Sequence, residues 1–101
     1  MSEINLGIIG GGQLGSMLSV AAKKLNIKTT VYCDDVNAPA QNFCNEFLFG
    51  EYNNKSKLLE FAGKVDFITY EFENIPYETL HEMSKLKPVL PKPSVNRLIQ
   101  H

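Results

Sequence analysis

The sequence of 101 residues contains no tryptophan and only two cysteines, Cys33 and Cys44. Two cysteines are too few for a disulfide framework or a zinc site. Neither charge is in excess, because 10 basic residues stand beside 11 acidic ones, so nothing drives the chain toward nucleic acid or an anionic membrane. No apolar run approaches the ~20 residues of a membrane span, and the N-terminus lacks the pattern of a secretory signal. We therefore expect a cytoplasmic protein with reduced cysteines that binds neither nucleic acid nor membrane.

The sequence does contain alternating short β-branched runs and helical stretches, a pattern typical of a parallel sheet layered with helices. Its composition, 44% hydrophobic and 21% charged, is that of one ordinary globular domain. We predict an α/β fold of the Rossmann-like type, a short parallel sheet with helices on both faces. The predicted strands are Asn5–Ile9, Thr29–Tyr32, Phe47–Phe49, Val65–Tyr70 and a clipped edge strand at Pro88–Pro91. The predicted helices begin at Leu14, Ala40, Lys55, Tyr77 and, capped by Ser94, at Val95.

Apolar residues at helical spacing predict which face of the first helix is buried. The stripe consists of Leu14, Met17, Leu18, Ala21, Ala22 and Leu25. On this pattern Ser16 and Ser19 face away from the apolar stripe. Five phenylalanines are also predicted to lie in the core: Phe43, Phe47, Phe49, Phe61 and Phe67.

A glycine-rich turn joins the first predicted strand to the first predicted helix. Residues 10–15 read Gly-Gly-Gly-Gln-Leu-Gly and fit the pattern G-x-G-x-x-G. In such a turn Gly10 permits the tight bend, Gly12 lets a ligand approach the backbone, and Gly15 lets helix and strand pack closely. Free N–H groups at the start of the helix favour an anion such as phosphate or carboxylate. The same glycines also suit a turn with no ligand, so both interpretations stay open.

Acidic residues follow two other predicted strands. Glu71 and Glu73 point to the same side if the segment is extended, at the edge where open parallel sheets bind ligands. There they would hold an amine or sugar hydroxyls, although a solvated loop explains them equally well. Asp34 and Asp35 stand where a dinucleotide-binding domain places its ribose-binding acid, or they are turn residues. A small NAD- or flavin-binding module is therefore an alternative.

Three stretches together resemble the 5-(carboxyamino)imidazole ribonucleotide synthase family, the ATPase component of phosphoribosylaminoimidazole carboxylase. They are Gly7–Leu18, Ala38–Gln41 and Thr69–Pro76, the last reading Thr-Tyr-Glu-Phe-Glu-Asn-Ile-Pro. The resemblance implies that residues 1–93 form a pre-ATP-grasp, biotin-carboxylase-like N-terminal domain, and that residues 94–101 begin the connection to a missing ATP-grasp domain. In these ligases of purine biosynthesis, ATP and Mg²⁺ convert bicarbonate to carboxyphosphate, which carboxylates the exocyclic amine of 5-aminoimidazole ribonucleotide.

The same resemblance, extended to the ATP-grasp type of glycinamide ribonucleotide formyltransferase, implies roles for five residues. Gln13, Leu14 and Glu71 would contact the substrate, Gly12 would adjoin it on the same turn, and Glu73 would support the site from behind. No catalytic or metal-binding residue is expected here, because ATP and Mg²⁺ would bind mainly outside this fragment, which would be inactive alone. The implied partners are the ribonucleotide, the missing domain and a second copy in a homodimer. A non-catalytic remnant is a further alternative.

Two positions depart from the family pattern. Ser16 stands where the family tends to have arginine, and Cys33-Asp34 stands where it commonly has Asp-Pro. If the side chain at position 16 faces the ligand, loss of an arginine would weaken contact with a phosphate. These departures affect the expected affinity more than the family resemblance.

Overall fold

The structure, a computed structural model, describes residues 3–71 and 75–93. They form a four-stranded parallel sheet in the order β3-β2-β1-β4. The strands are β1 (Asn5–Ile9), β2 (Lys28–Cys33), β3 (Glu46–Phe49) and β4 (Phe67–Tyr70). The helices are α1 (Gln13–Lys24), α2 (Lys55–Lys64) and α3 (Tyr77–Ser84), with a 3-10 helix at Pro39–Asn42. The predicted α/β class and parallel sheet are confirmed.

The predicted edge strand at Pro88–Pro91 is reduced to a single parallel bridge between Val89 and Ile68. Proline carries no N–H and cannot donate to a ladder, so prolines on both sides of the segment limit its pairing. The fourth strand also begins at Phe67 rather than at the predicted Val65. The helix predicted from Val95, with its cap at Ser94, lies outside the described residues.

Both faces of the sheet are covered, because adjacent residues of a strand point to opposite faces and both are buried. Ile8 and Ile9 in β1 are each fully buried. Ile8 packs with Val31 of β2 and with Ala40 of the 3-10 helix on one face. Ile9 packs with side chains of α2 and α3 on the other face, among them Phe61, Leu80 and Met83. This two-sided burial explains why β1 is a nearly continuous apolar run.

The buried face of α1 differs from the predicted apolar stripe. The residues that α1 buries are small: Gly15, Ser19 and Ala22. Several large apolar residues of the stripe are instead exposed: Leu14, Met17 and Leu25. Ser19 lies away from the stripe, as predicted, but this is the buried side of the helix, and its hydroxyl donates to the Gly15 carbonyl at 2.8 Å.

Close approach of α1 to the sheet explains this choice of face. A Cβ built on Gly15 would lie 2.6 Å from the carbonyl oxygen of Gly10, far inside van der Waals contact. Only a face of small residues lets the helix lie this near to the end of β1. The role predicted for Gly15, close packing of helix and strand, is confirmed.

Most of the phenylalanines predicted as core residues are not fully buried. Phe61 alone among the five is fully buried. Three of them are exposed, at positions 43, 49 and 67, and Phe47 is half-buried. β3 has only one neighbouring strand, and the single bridge at Val89 covers little of β4, so aromatic residues there remain accessible.

Gly15→Ala and Gly63→Ala form a matched pair that tests the close packing. Gly15→Ala is expected to lower the free energy of unfolding by about 1–3 kcal/mol, because its methyl group overlaps the Gly10 carbonyl oxygen. Gly63 lies in α2 with nothing within 4 Å of a built Cβ, so Gly63→Ala should raise that free energy by up to about 1 kcal/mol. Urea denaturation measures both, and equal stabilities would contradict the account.

Candidate functional site

The carboxyl ends of the parallel strands meet at one edge of the sheet, where a cavity of about 410 Å³ opens. Residues at or beyond the ends of all four strands line it: Gly11 and Gly12, then Cys33, Asp34, Asp35, Ala38 and Pro39, then Tyr52, and finally Glu71. From β1 the chain builds β2 and β3 on one side and then returns to place β4 on the other. Open α/β sheets bind ligands where the strand order reverses in this way.

A second cavity, of about 490 Å³, lies between α2 and α3 and shares only Tyr52 with the first. Apolar side chains dominate its wall, among them Leu58, Leu59, Met83 and Leu86. It is the larger of the two, but it lies away from the glycine turn. We take the cavity at the strand ends as the candidate site because backbone amides and carboxylates converge there.

The turn after β1 has the geometry that its glycines predict. Gly10 has φ 108°, a left-handed conformation that side chains rarely allow, and its N–H donates to the Tyr32 carbonyl at 2.8 Å. The Gly11 carbonyl accepts from the Ala40 N–H at 2.9 Å, which ties the loop after β2 to this turn. The role predicted for Gly10 is confirmed.

Glu71 brings a carboxylate from the end of β4 to this turn. Its backbone N–H donates to the Ile9 carbonyl at 3.0 Å, which extends the β1–β4 pairing by one residue. Its Oε2 accepts a hydrogen bond from the Gly15 N–H in the first turn of α1, at 3.1 Å. Within the described part of the chain Oε1 has no hydrogen-bond donor, so one carboxylate oxygen is available to a ligand.

The five residues implied for the substrate site separate into three groups. Gly12 and Glu71 come together in the wall of the cavity. Gln13 and Leu14, both exposed, form the start of α1 next to Gly12 and are not part of the wall. Glu73 lies outside the described residues.

Tyr52 is a wall residue that the sequence pattern did not single out. Its hydroxyl donates to the Cys33 sulfur at 3.6 Å, and its carbonyl accepts from the Thr79 hydroxyl at 2.6 Å. Burial raises the pKa of Tyr52 above its ordinary value, and the hydrogen bond to Cys33 adds to this shift. The signal was its place shortly after β3, because the loops after neighbouring parallel strands share one edge.

The structure shows the surroundings of Ser16, Cys33 and Asp34, which depart from the family pattern, and of the neighbouring Asp35. The Ser16 hydroxyl donates to the Gly12 carbonyl at 3.0 Å, so it supports the first turn of α1. Asp35 acts as a turn residue, because its Oδ1 accepts from the Asn37 N–H at 2.9 Å. Cys33 is buried, as expected of a small apolar side chain, and Asp34 beside it is exposed.

Residues 3–71 and 75–93 contain neither a metal-binding cluster nor a membrane-spanning helix. Within these ranges no group of three acidic, histidine or cysteine side chains is placed to hold a metal ion. In the same ranges no helix is long and apolar enough to cross a membrane.

The amino-acid sequence matches one family model over residues 1–100, the ribonucleotide synthetase preATP-grasp domain. The chain belongs to this family. The resemblance stated from the glycine turn and the Tyr-Glu-Phe-Glu-Asn stretch is thereby confirmed. This membership favours a ribonucleotide synthetase domain over the NAD- or flavin-binding module that the glycine pattern alone left open.

Similar proteins in this family are purine-synthesis enzymes. The bifunctional purine synthesis protein purC/E of Dictyostelium discoideum is 40% identical over 95 residues, 94% of this chain and 10% of that protein. N5-carboxyaminoimidazole ribonucleotide synthetase from Thermus thermophilus has a TM-score of 0.88 and 33% identity, covering 92% of this chain and 26% of that one. The Aspergillus clavatus synthase, solved with ADP and 5-aminoimidazole ribonucleotide, has a TM-score of 0.82 and 30% identity. The match covers 97% of this chain and 26% of that one. The chain thus spans about a quarter or less of these relatives.

Buried tyrosines near the cavity predict a loss of stability at high pH. Burial, with the Glu51 and Asp34 carboxylates nearby, raises the pKa of Tyr32 to about 12 from an ordinary value of 10.0. The folded state holds the Tyr32 phenol proton more tightly than the unfolded chain does. This proton's contribution to the free energy of unfolding is therefore complete below pH 10 and is lost as the pH rises toward 12.

We therefore expect the free energy of unfolding to fall over this interval, and Tyr32→Phe to make the fall shallower. Urea denaturation at a series of pH values measures it. An identical pH dependence in Tyr32→Phe would show that the Tyr32 phenol makes no such contribution.

Proposed function

We propose that this chain supplies the N-terminal part of the ribonucleotide site of an N5-carboxyaminoimidazole ribonucleotide synthase. The observation that carries the proposal is the meeting of the glycine turn and Glu71 at the point where the strand order reverses. A relative with the same fold, from Aspergillus clavatus, was solved with ADP and 5-aminoimidazole ribonucleotide. Its likeness over 97% of this chain supports a ribonucleotide as the ligand.

In this proposal the ligand is bound by Glu71 and by the start of α1. Oε1 of Glu71 accepts a hydrogen bond from a ribose hydroxyl or an amine, since Oε2 is already bonded to the Gly15 N–H. Gly12 adjoins the ligand in the cavity wall beside Glu71, and Gln13 and Leu14 contact the ligand from the exposed first turn of α1. Glu73 keeps its proposed role as a support behind Glu71.

The chemistry in this proposal takes place on a further domain. We assign residues 1–93 to the pre-ATP-grasp domain and residues 94–101 to the start of the connection to an ATP-grasp domain. That domain would bind ATP with Mg²⁺, and ATP would supply the phosphoryl group that converts bicarbonate to carboxyphosphate, with ADP as the leaving group. The ribonucleotide amine then attacks the carboxyphosphate carbon, a C–N bond forms, and phosphate leaves while the amine loses a proton. This chain's part is to hold and orient the ribonucleotide.

Glu71→Gln tests the proposed site in this chain. An NMR-monitored titration with 5-aminoimidazole ribonucleotide should give weak, saturable shifts at Gly12 and Gln13. Glu71→Gln should lower the affinity about tenfold, because a carboxylate accepts hydrogen bonds more strongly than an amide. Glu60→Gln, which removes the same charge from the exposed surface of α2, should leave it unchanged.

Two results would contradict the proposal. One is the absence of any ribonucleotide-dependent shift at the glycine turn, which would favour a non-catalytic remnant. The other is hydrolysis of ATP by this chain alone, because the account places the ATP site on the further domain.

We also propose a homodimer in a cytoplasmic setting. Met17 on α1 and Leu25 at its C-cap leave apolar surface exposed, which supports association. Both cysteines are free, which suits a reducing compartment. Sedimentation equilibrium should show a concentration-dependent dimer that Met17→Glu weakens, with Lys24→Glu as a charge control on the same helix. A monomer at all concentrations, or equal effects of the two variants, would contradict association through these residues.

A further inference from the structure

The N-terminus of α1 has no cap from its own sequence. Gly12 occupies the N-cap position without a side chain, and the first turn contains no acidic residue. The first N–H groups of a helix have no partners within it, and with the helix dipole they attract an anion. A glycine turn followed by such a helix is the arrangement with which many proteins hold a phosphate.

In this protein the anion at the N-terminus of α1 is a side chain, the carboxylate of Glu71. Oε2 of Glu71, from the far side of β1, accepts the hydrogen bond of the Gly15 N–H at 3.1 Å. The carboxylate lies directly over the turn, because a Cβ built on Gly10 would be 2.7 Å from Oε1 and one built on Gly12 would be 3.1 Å from Oε2. The glycines at these two positions therefore make the space that the Glu71 side chain fills.

The charges around the cavity reinforce this arrangement. Three of its wall residues are acidic: Asp34, Asp35 and Glu71. The wall formed by the described residues contains no lysine, arginine or histidine. A cavity of this composition repels anions and suits hydrogen-bond donors.

We propose that Glu71 is a specificity-determining residue that occupies the anion-binding position of the glycine turn and excludes phosphate from it. A dinucleotide pyrophosphate finds its position at the start of α1 already filled. A phosphorylated ligand must place its phosphate away from α1 and present hydroxyl or amine groups to the cavity. The exclusion concerns anions in general, and it holds whether or not a ribonucleotide is the natural ligand.

Inorganic pyrophosphate is the probe for this proposal, with binding followed at the backbone amides of Gly12, Leu14 and Gly15. Glu71→Ala removes the carboxylate and should bind pyrophosphate at these amides about tenfold more tightly than the unaltered chain. Glu71→Gln removes the charge but keeps an oxygen near the Gly15 N–H, so its gain should be smaller. Added salt should weaken the new binding.

Glu60→Gln is the matched control and should bind pyrophosphate as weakly as the unaltered chain. The proposal is overturned if the unaltered chain binds pyrophosphate at these amides as tightly as the Glu71 variants do. It is also overturned if folded Glu71→Ala gains nothing. Should Glu71→Ala fail to fold, Glu71→Gln decides the matter, because loss of the charge alone must still increase the affinity. None of these outcomes depends on ribonucleotide binding, so this proposal and the proposed function fail separately.

Discussion

The close packing of α1 against the end of β1 is the constraint on which the ligand-facing edge depends. No Cβ fits between Gly15 and the Gly10 carbonyl oxygen. The helix therefore presents Gly15, Ser19 and Ala22 to the sheet. The same approach brings the Gly15 N–H within hydrogen-bond distance of Glu71, which lies 56 residues later in the chain. The turn, the start of α1 and the end of β4 thus form one closely packed corner at the strand ends.

Short sequence patterns predicted the parts of this corner that depend on backbone conformation and on the immediate neighbours in the chain. Gly10 and Gly15 are required by a left-handed φ and by a close contact, and G-x-G-x-x-G identifies both requirements. β1 was predicted with its observed bounds, because a strand buried on both faces is an apolar run that stops at a glycine. These features need no knowledge of what packs against them.

Tertiary packing decided what the sequence pattern could not. The apolar stripe of α1 identified the more hydrophobic side of the helix. The helix instead packs its side of small residues against the sheet, because only small residues fit at so short a distance. The Gly15–Glu71 hydrogen bond joins residues too far apart in the sequence for any local pattern to predict it. The sequence placed both residues in the same region only because the carboxyl ends of parallel strands lie at one edge of the sheet. Tyr52 follows the same rule, but no motif marks it.

Family membership and site geometry together support the role proposed for this corner. The chain belongs to the ribonucleotide synthetase preATP-grasp domain family over residues 1–100, and the similar synthetase from Thermus thermophilus shares its fold. The geometry adds a carboxylate where a dinucleotide-binding turn would offer its amides to a phosphate. A crystal structure of the chain with 5-aminoimidazole ribonucleotide is the most direct test of this account. It should show the ligand between Gly12 and Glu71 with its phosphate turned away from α1. A phosphate bound to the Gly15 N–H, or a ligand in the cavity between α2 and α3, would contradict it.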